Sequence, residues 1–147
     1  MKLGMLALFA FLSVQATAQK PVHWKFSSKR IADKTYEIHL TARMDQPWHI
    51  YSQTTPPGGP SGTRIEFTNN PLITLNGSVK ENGKLKSKKE KAFGVDVNYY
   101  EDAVDFVQLV KIKSNGKTSV TGYIQYMVGN DEKSLPATTA SFNVALQ

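Results

Sequence analysis

The sequence predicts an all-β protein, an immunoglobulin-like β-sandwich of about 8 antiparallel strands. Three observations carry that expectation. Apolar residues alternate with period two in run after run. Clusters of Gly, Pro, Asn and Asp separate the runs. No segment beyond residue 18 shows a helical repeat. A closed barrel is the alternative arrangement of the same strands.

The elements follow in chain order. "VHWKF" puts Val22, Trp24 and Phe26 on one face. "TYEIHLTARM" alternates most cleanly. Tyr36, Ile38, Leu40, Ala42 and Met44 face one way and Glu37, His39, Thr41 and Arg43 the other; Tyr36, Ile38 and Leu40 are expected to be buried, Glu37 and His39 exposed. "TRIEF" aligns Thr63, Ile65 and Phe67, and "ITLNGSV" aligns Ile73, Leu75 and Val79. "AVDFVQLVKIK" aligns Val104, Phe106, Val110 and Ile112, with Val107 and Leu109 on its other face. "SVTGYIQYMV" aligns Val120, Ile124, Tyr126 and Val128, and "SFNVAL" closes with Phe142, Val144 and Leu146. Of the turns between them, Ser114-Asn115-Gly116-Lys117 predicts a hairpin, because Asn-Gly accepts positive φ.

The N-terminus reads as a signal peptide over residues 1–18. Met1-Lys2 supplies a positive start, "LGMLALFAFL" a short apolar region, and Ala16-Thr17-Ala18 a small-x-small cleavage site. The apolar run is shorter than the roughly 20 residues that cross a bilayer, and no cysteine follows to accept a lipid. Residues 19–147 then form one exported, periplasmic domain with no transmembrane segment, large enough for a real core.

The formal charge of the chain is +6, and much of the excess lies in "GKLKSKKEK". Such a run is expected to be a solvated hairpin or loop; export argues against nucleic acid as its partner. The chain has no cysteine, so the core must hold without disulfides and thiol chemistry is excluded.

Little else in the sequence carries catalytic chemistry. The spacing of His23, His39 and His49 does not suggest a metal site, and they read as surface or hydrogen-bonded residues. Ser134 has neither a nucleophile elbow nor a neighbouring base. "TPPGGPSG" is turn chemistry and lacks the phosphate-loop pattern. No cofactor is implied. Trp48, Tyr51, Phe93, Tyr99, Tyr100, Tyr123 and Tyr126 fall near loops or strand ends, where core packing is their ordinary role and a recognition groove the functional one.

The stretch "YMVGNDEKSLP", Tyr126 to Pro136, looks built to hold something yet carries no reactive group. Together with "WHIYSQ", the "GGP" loop and "KAFGVDVNYY", it resembles the N-terminal domain of the thiol:disulfide interchange reductase DsbD, in its Bacteroidetes-type form. The resemblance covers nearly all of the chain after the leader. It implies an immunoglobulin-like domain in the periplasm. In that family two cysteines receive electrons from a membrane domain and pass them to thioredoxin-like partners, beneath a cap loop with a shielding aromatic. The cap loop corresponds to "KAFGVD", with Phe93 and Gly94; Tyr126 precedes the pair, and Leu135-Pro136 follows it. The cysteine positions correspond to Gly129 and Ser134, neither of which can exchange a disulfide.

The resemblance therefore implies a redox-inactive, non-enzymatic binding module. Its expected partners are periplasmic thioredoxin-like proteins or a membrane electron-transfer protein. The alternative is a ligand- or glycan-binding sandwich with a groove near Phe93 and Tyr126. If the redox frame persists, the β-carbon positions of 129 and 134 should lie close together, although a glycine at 129 also permits a positive φ that a cysteine would resist.

Overall fold

The computed structural model describes residues 20–91 and 93–146, so the predicted signal peptide lies outside the described residues. The chain forms eleven strands: β1 (Val22–Ala32), β2 (Thr35–Met44), β3 (His49–Tyr51), β4 (Arg64–Phe67), β5 (Ile73–Gly83), β6 (Lys86–Glu90), β7 (Val95–Tyr100), β8 (Ala103–Ile112), β9 (Thr118–Tyr126), β10 (Val128–Gly129) and β11 (Thr138–Leu146). All pairings are antiparallel, and the described residues contain no helix. The architecture is the expected immunoglobulin-like sandwich.

The strands make three sheets, ordered β1-β2-β8-β5, β11-β9-β4 and β10-β3-β7-β6. The first two enclose the main core. From β2 it receives Tyr36, Ile38, Leu40, Ala42 and Met44; from β8, Val104, Phe106 and Val110; from β9 and β11, Val120, Ile124, Phe142, Val144 and Leu146. These are the apolar faces that the alternation marks, because a strand half-covered by a second sheet must bury every other residue.

Glycine 122 sets the approach of β9 to its neighbours. A β-carbon there would strike the Glu66 carbonyl and stand 2.7 Å from the Phe142 ring. Its lack of a side chain lets β4 and the Phe142 ring close in on β9.

Several local expectations fail. The Asn115-Gly116 turn does not make a hairpin: β8 and β9 lie in different sheets, so the turn carries the chain across the sandwich. Turn chemistry reverses a chain without choosing its hydrogen-bonding partner. Leu75 is 40% exposed, although Ile73 on the same face and the same edge strand is buried. The β5–β8 register shifts between Asn76 and Lys80. Gln108 fastens this bulge, donating to the carbonyls of Asn76 and Gly77 at 3.1 and 3.2 Å.

Glu37 and His39 are half-buried instead of exposed. His39 Nδ1 meets Asp105 at 2.7 Å and Nε2 lies 3.4 Å from Glu37, so the polar face carries its own network. The lysine run supplies β6, which forms the expected hairpin with the next strand, β7, at the edge of the third sheet. Charge runs often report solvation alone, yet an edge strand can carry lysines on its free side.

Candidate functional site

The third sheet has two different faces. Ile50, Val128 and Tyr100 join the main core. The opposite face carries His49, Tyr51, Val97 and Tyr99, with Tyr51, Val97, Tyr99 and the half-buried Met127 forming a small second cluster. Strands β3 and β10 pair Gly129 with His49 and Val128 with Ile50, so Gly129 opens onto the Tyr51 face.

The turn after β10 folds back over this face. Asn130 closes it, its side-chain oxygen accepting from the backbone N–H groups of Glu132 and Lys133, both at 2.9 Å. Its own N–H donates to the Lys133 carbonyl, and the Leu135 N–H donates to the Val128 carbonyl, each at 2.9 Å. Gly129 and Ser134 are thereby held opposite each other in an antiparallel bridge. Leu135 packs on the main core and Pro136 is exposed, so the pair after Ser134 anchors the end of the turn.

A β-carbon built at Gly129 would lie 3.1 Å from Ser134 Oγ. In a disulfide, one β-carbon and the opposite sulfur are separated by roughly 3 Å, given an S–S bond of about 2.0 Å. Positions 129 and 134 thus stand at a separation that a disulfide could span. What occupies it is the Tyr51 hydroxyl, which would overlap that β-carbon and lies 3.2 Å from Ser134 Oγ. Gly129 does not have positive φ; that conformation is found at Gly58, Gly77 and Gly94. The obstacle to a side chain at 129 is thus Tyr51, which the sequence alone places only among the aromatics near loops or strand ends.

The cap segment is a tight turn between β6 and β7. Gly94 donates to the Glu90 carbonyl at 2.8 Å with φ +67, a conformation that favours glycine. Phe93 is 39% exposed at its tip. The "GGP" loop supports it: a β-carbon at Gly59 would be 3.3 Å from Phe93 Cβ and only 2.7 Å from Val95 Cγ2. Between the cap and the 131–134 turn lies an open cleft of about 530 Å³, bordered by Phe93, Ser134 and several lysines and carboxylates. Tyr126 does not border this cleft. Its ring packs edge-on against Trp24 at 5.3 Å, so Phe93 and Tyr126 share no groove.

Burial shapes the electrostatics of the site. His49 is 2% exposed and its Nε2 has no hydrogen-bond partner among the described residues. Burial first, and the Lys88 ammonium second, lower its pKa to about 4. It therefore departs from the expected surface or hydrogen-bonded histidine, and packs instead against the rings of Tyr99 and Tyr51 at 4.5 and 5.3 Å. Burial also raises the Tyr51 pKa, against the opposing Ser134 hydrogen bond. For Lys88, burial opposes the charge, but the Asp131 hydrogen bond and the nearby Glu90 and Asp131 charges leave the pKa raised. No group of three or more potential ligands is placed to hold a metal among the described residues.

His49 gives the site a pH signature. The unfolded chain takes up a proton near pH 6.5, and the folded chain resists it until about pH 4. Stability therefore falls as pH drops through that window, by about 3 kcal/mol in total. Urea midpoints at several pH values should fall more steeply for the native protein than for His49→Phe. Equal slopes would place the titration elsewhere.

Comparison with solved structures now bears on this geometry. The N-terminal periplasmic domain of ScsB from Proteus mirabilis matches with a TM-score of 0.53 at 13% identity, over 85% of this chain and 44% of that one. The chain thus spans less than half of the ScsB structure. The N-terminal domain of DsbD from Neisseria meningitidis, in its reduced form, matches with a TM-score of 0.56 at 13% identity, over 85% of each chain. The chain has the fold of the DsbD N-terminal domain. No protein-family model and no curated protein matches it. The chain itself contains no cysteine.

Proposed function

We propose that this chain is an exported, redox-inactive counterpart of the DsbD N-terminal domain. It binds periplasmic thioredoxin-like proteins or a membrane electron-transfer protein and exchanges no disulfide with them. The observation that carries this reading is the Gly129–Ser134 bridge filled by the Tyr51 hydroxyl. A disulfide frame is kept while its sulfur is replaced by oxygen, and a hydroxyl cannot take the thiolate's part in exchange. The leader-like residues 1–18 and the periplasmic location of the ScsB domain support the location.

Two measurements test it. Insulin reduction by the purified protein should stay at background; a reproducible rate, with contaminants excluded, defeats the inactive reading. Capture from periplasmic extract should enrich thioredoxin-fold proteins or a membrane reductase. The enrichment should drop when Phe93→Asp is introduced in the exposed cap. Equal capture by the variant would remove this face from the interaction.

A further inference from the structure

We propose that the cleft between the cap and the 131–134 turn is a docking groove for an acidic, extended segment of a partner protein. The inference rests on reading this face as a binding surface, and it adds the chemistry of what binds.

The groove is concave and lies beside a free strand edge. Strand β6 is the last in its sheet and pairs only with β7. Lys88, Lys89, Lys91 and Lys133 border the cleft, together with Glu90, Asp131 and Glu132. The internal pairings are uneven. Lys88 lies between two carboxylates, Asp131 at 3.2 Å and Glu90 at 3.9 Å, and shares its one charge with both. Lys89 and Lys91 are exposed and have no acidic partner among the described residues. The four lysines of the lining exceed its three carboxylates by one charge, and Lys89 and Lys91 are the exposed lysines that an incoming ligand meets unpaired, while Lys133 lies over the Trp48 ring at 5.9 Å.

Lysines on an edge strand commonly serve to repel unwanted strand pairing. Two features distinguish this edge. The lysines border a cavity of about 530 Å³, within the size range of binding clefts, and do not lie along a flat rim. Within it sits an exposed phenylalanine, Phe93, supported from behind by the Gly59 loop. A guard strand gains nothing from an exposed aromatic. A groove for alternating acidic and apolar side chains uses both, with main-chain pairing along β6 available in addition.

The probe is a short fluorescein-labelled peptide of alternating Glu and Val, titrated with the purified protein and followed by anisotropy. It should bind at least about 10-fold more tightly than its Lys-Val counterpart, and several-fold more weakly when salt rises from about 50 to about 300 mM. Lys89→Glu with Lys91→Glu should weaken it about 10-fold or more, and Phe93→Ser should weaken it by a similar factor. All three positions are exposed, and circular dichroism should confirm that each variant folds. Absence of binding, or no preference between the two peptides, overturns the proposal. So does insensitivity to Phe93→Ser, which would mark a solvated charge patch. Equal competition by a single-stranded oligonucleotide would mark a general polyanion surface and also overturn it. Peptide binding without capture of thioredoxin-fold proteins would keep the groove and defeat only the partner class proposed above. Capture without peptide binding would do the reverse.

Discussion

Gly129→Cys with Ser134→Cys should leave two free thiols in the folded protein, and adding Tyr51→Phe should let them close into a disulfide. The frame favours closure: the two residues form a bridge, and the 129 β-carbon position is 3.1 Å from the 134 Oγ. Backbone conformation does not oppose it, since Gly129 lacks positive φ. The Tyr51 hydroxyl does oppose it. That side chain is 0% exposed and wedged in the second cluster, so it cannot swing aside without cost. Removing the oxygen leaves the ring carbon at 3.3 Å from the new β-carbon, which requires a shift of only a few tenths of an ångström. Tyr51→Leu in the same background guards against residual crowding. The readout is thiol titration and non-reducing mass analysis after equilibration with glutathione disulfide. A double variant that closes fully would show that Tyr51 is no obstacle. Free thiols in both Tyr51-substituted variants, with native dichroism, would defeat the redox-remnant reading of the turn.

Leu40→Ala should destabilise the protein by about 2–5 kcal/mol. Leu40 is 1% exposed, lies between Phe26 on β1 and Phe106 on β8, and belongs to the main core. Truncation removes apolar burial and leaves a cavity that paired strands on both sides prevent from collapsing. Urea unfolding measures it. The m-value should be unchanged while the midpoint falls. A loss below about half a kcal/mol, the scale of surface changes, would mean that the β2 register is misassigned. With no disulfide in the chain, no covalent staple offsets the loss.

The parts legible in the sequence are those governed by one strand at a time. Alternation in Tyr36–Met44, Val104–Ile112 and Phe142–Leu146 marks the buried face, because side chains on a pleated strand must point to opposite sides. The same logic misses β3, whose three residues are too short to show a period, and runs β10 on from β9, because Val128 continues that strand's alternation although β10 lies in another sheet. It also misses β6, whose lysines show charge in place of alternation.

The composition alone determined that no thiol chemistry is available, since that follows from a residue type that is absent. The resemblance pointed to Gly129 and Ser134, but only the tertiary structure decided what stands between them. Tyr51 is distant in sequence from both and reaches them through the pairing of β3 with β10. His49 became a buried, neutral ring for the same reason: its environment is made by Tyr99 and Lys88 from other strands. Long-range contacts of this kind leave no local pattern, because each residue satisfies its own strand's alternation whatever lies opposite. The period of a strand is a property of its backbone, whereas the occupant of a pocket is a property of the whole fold.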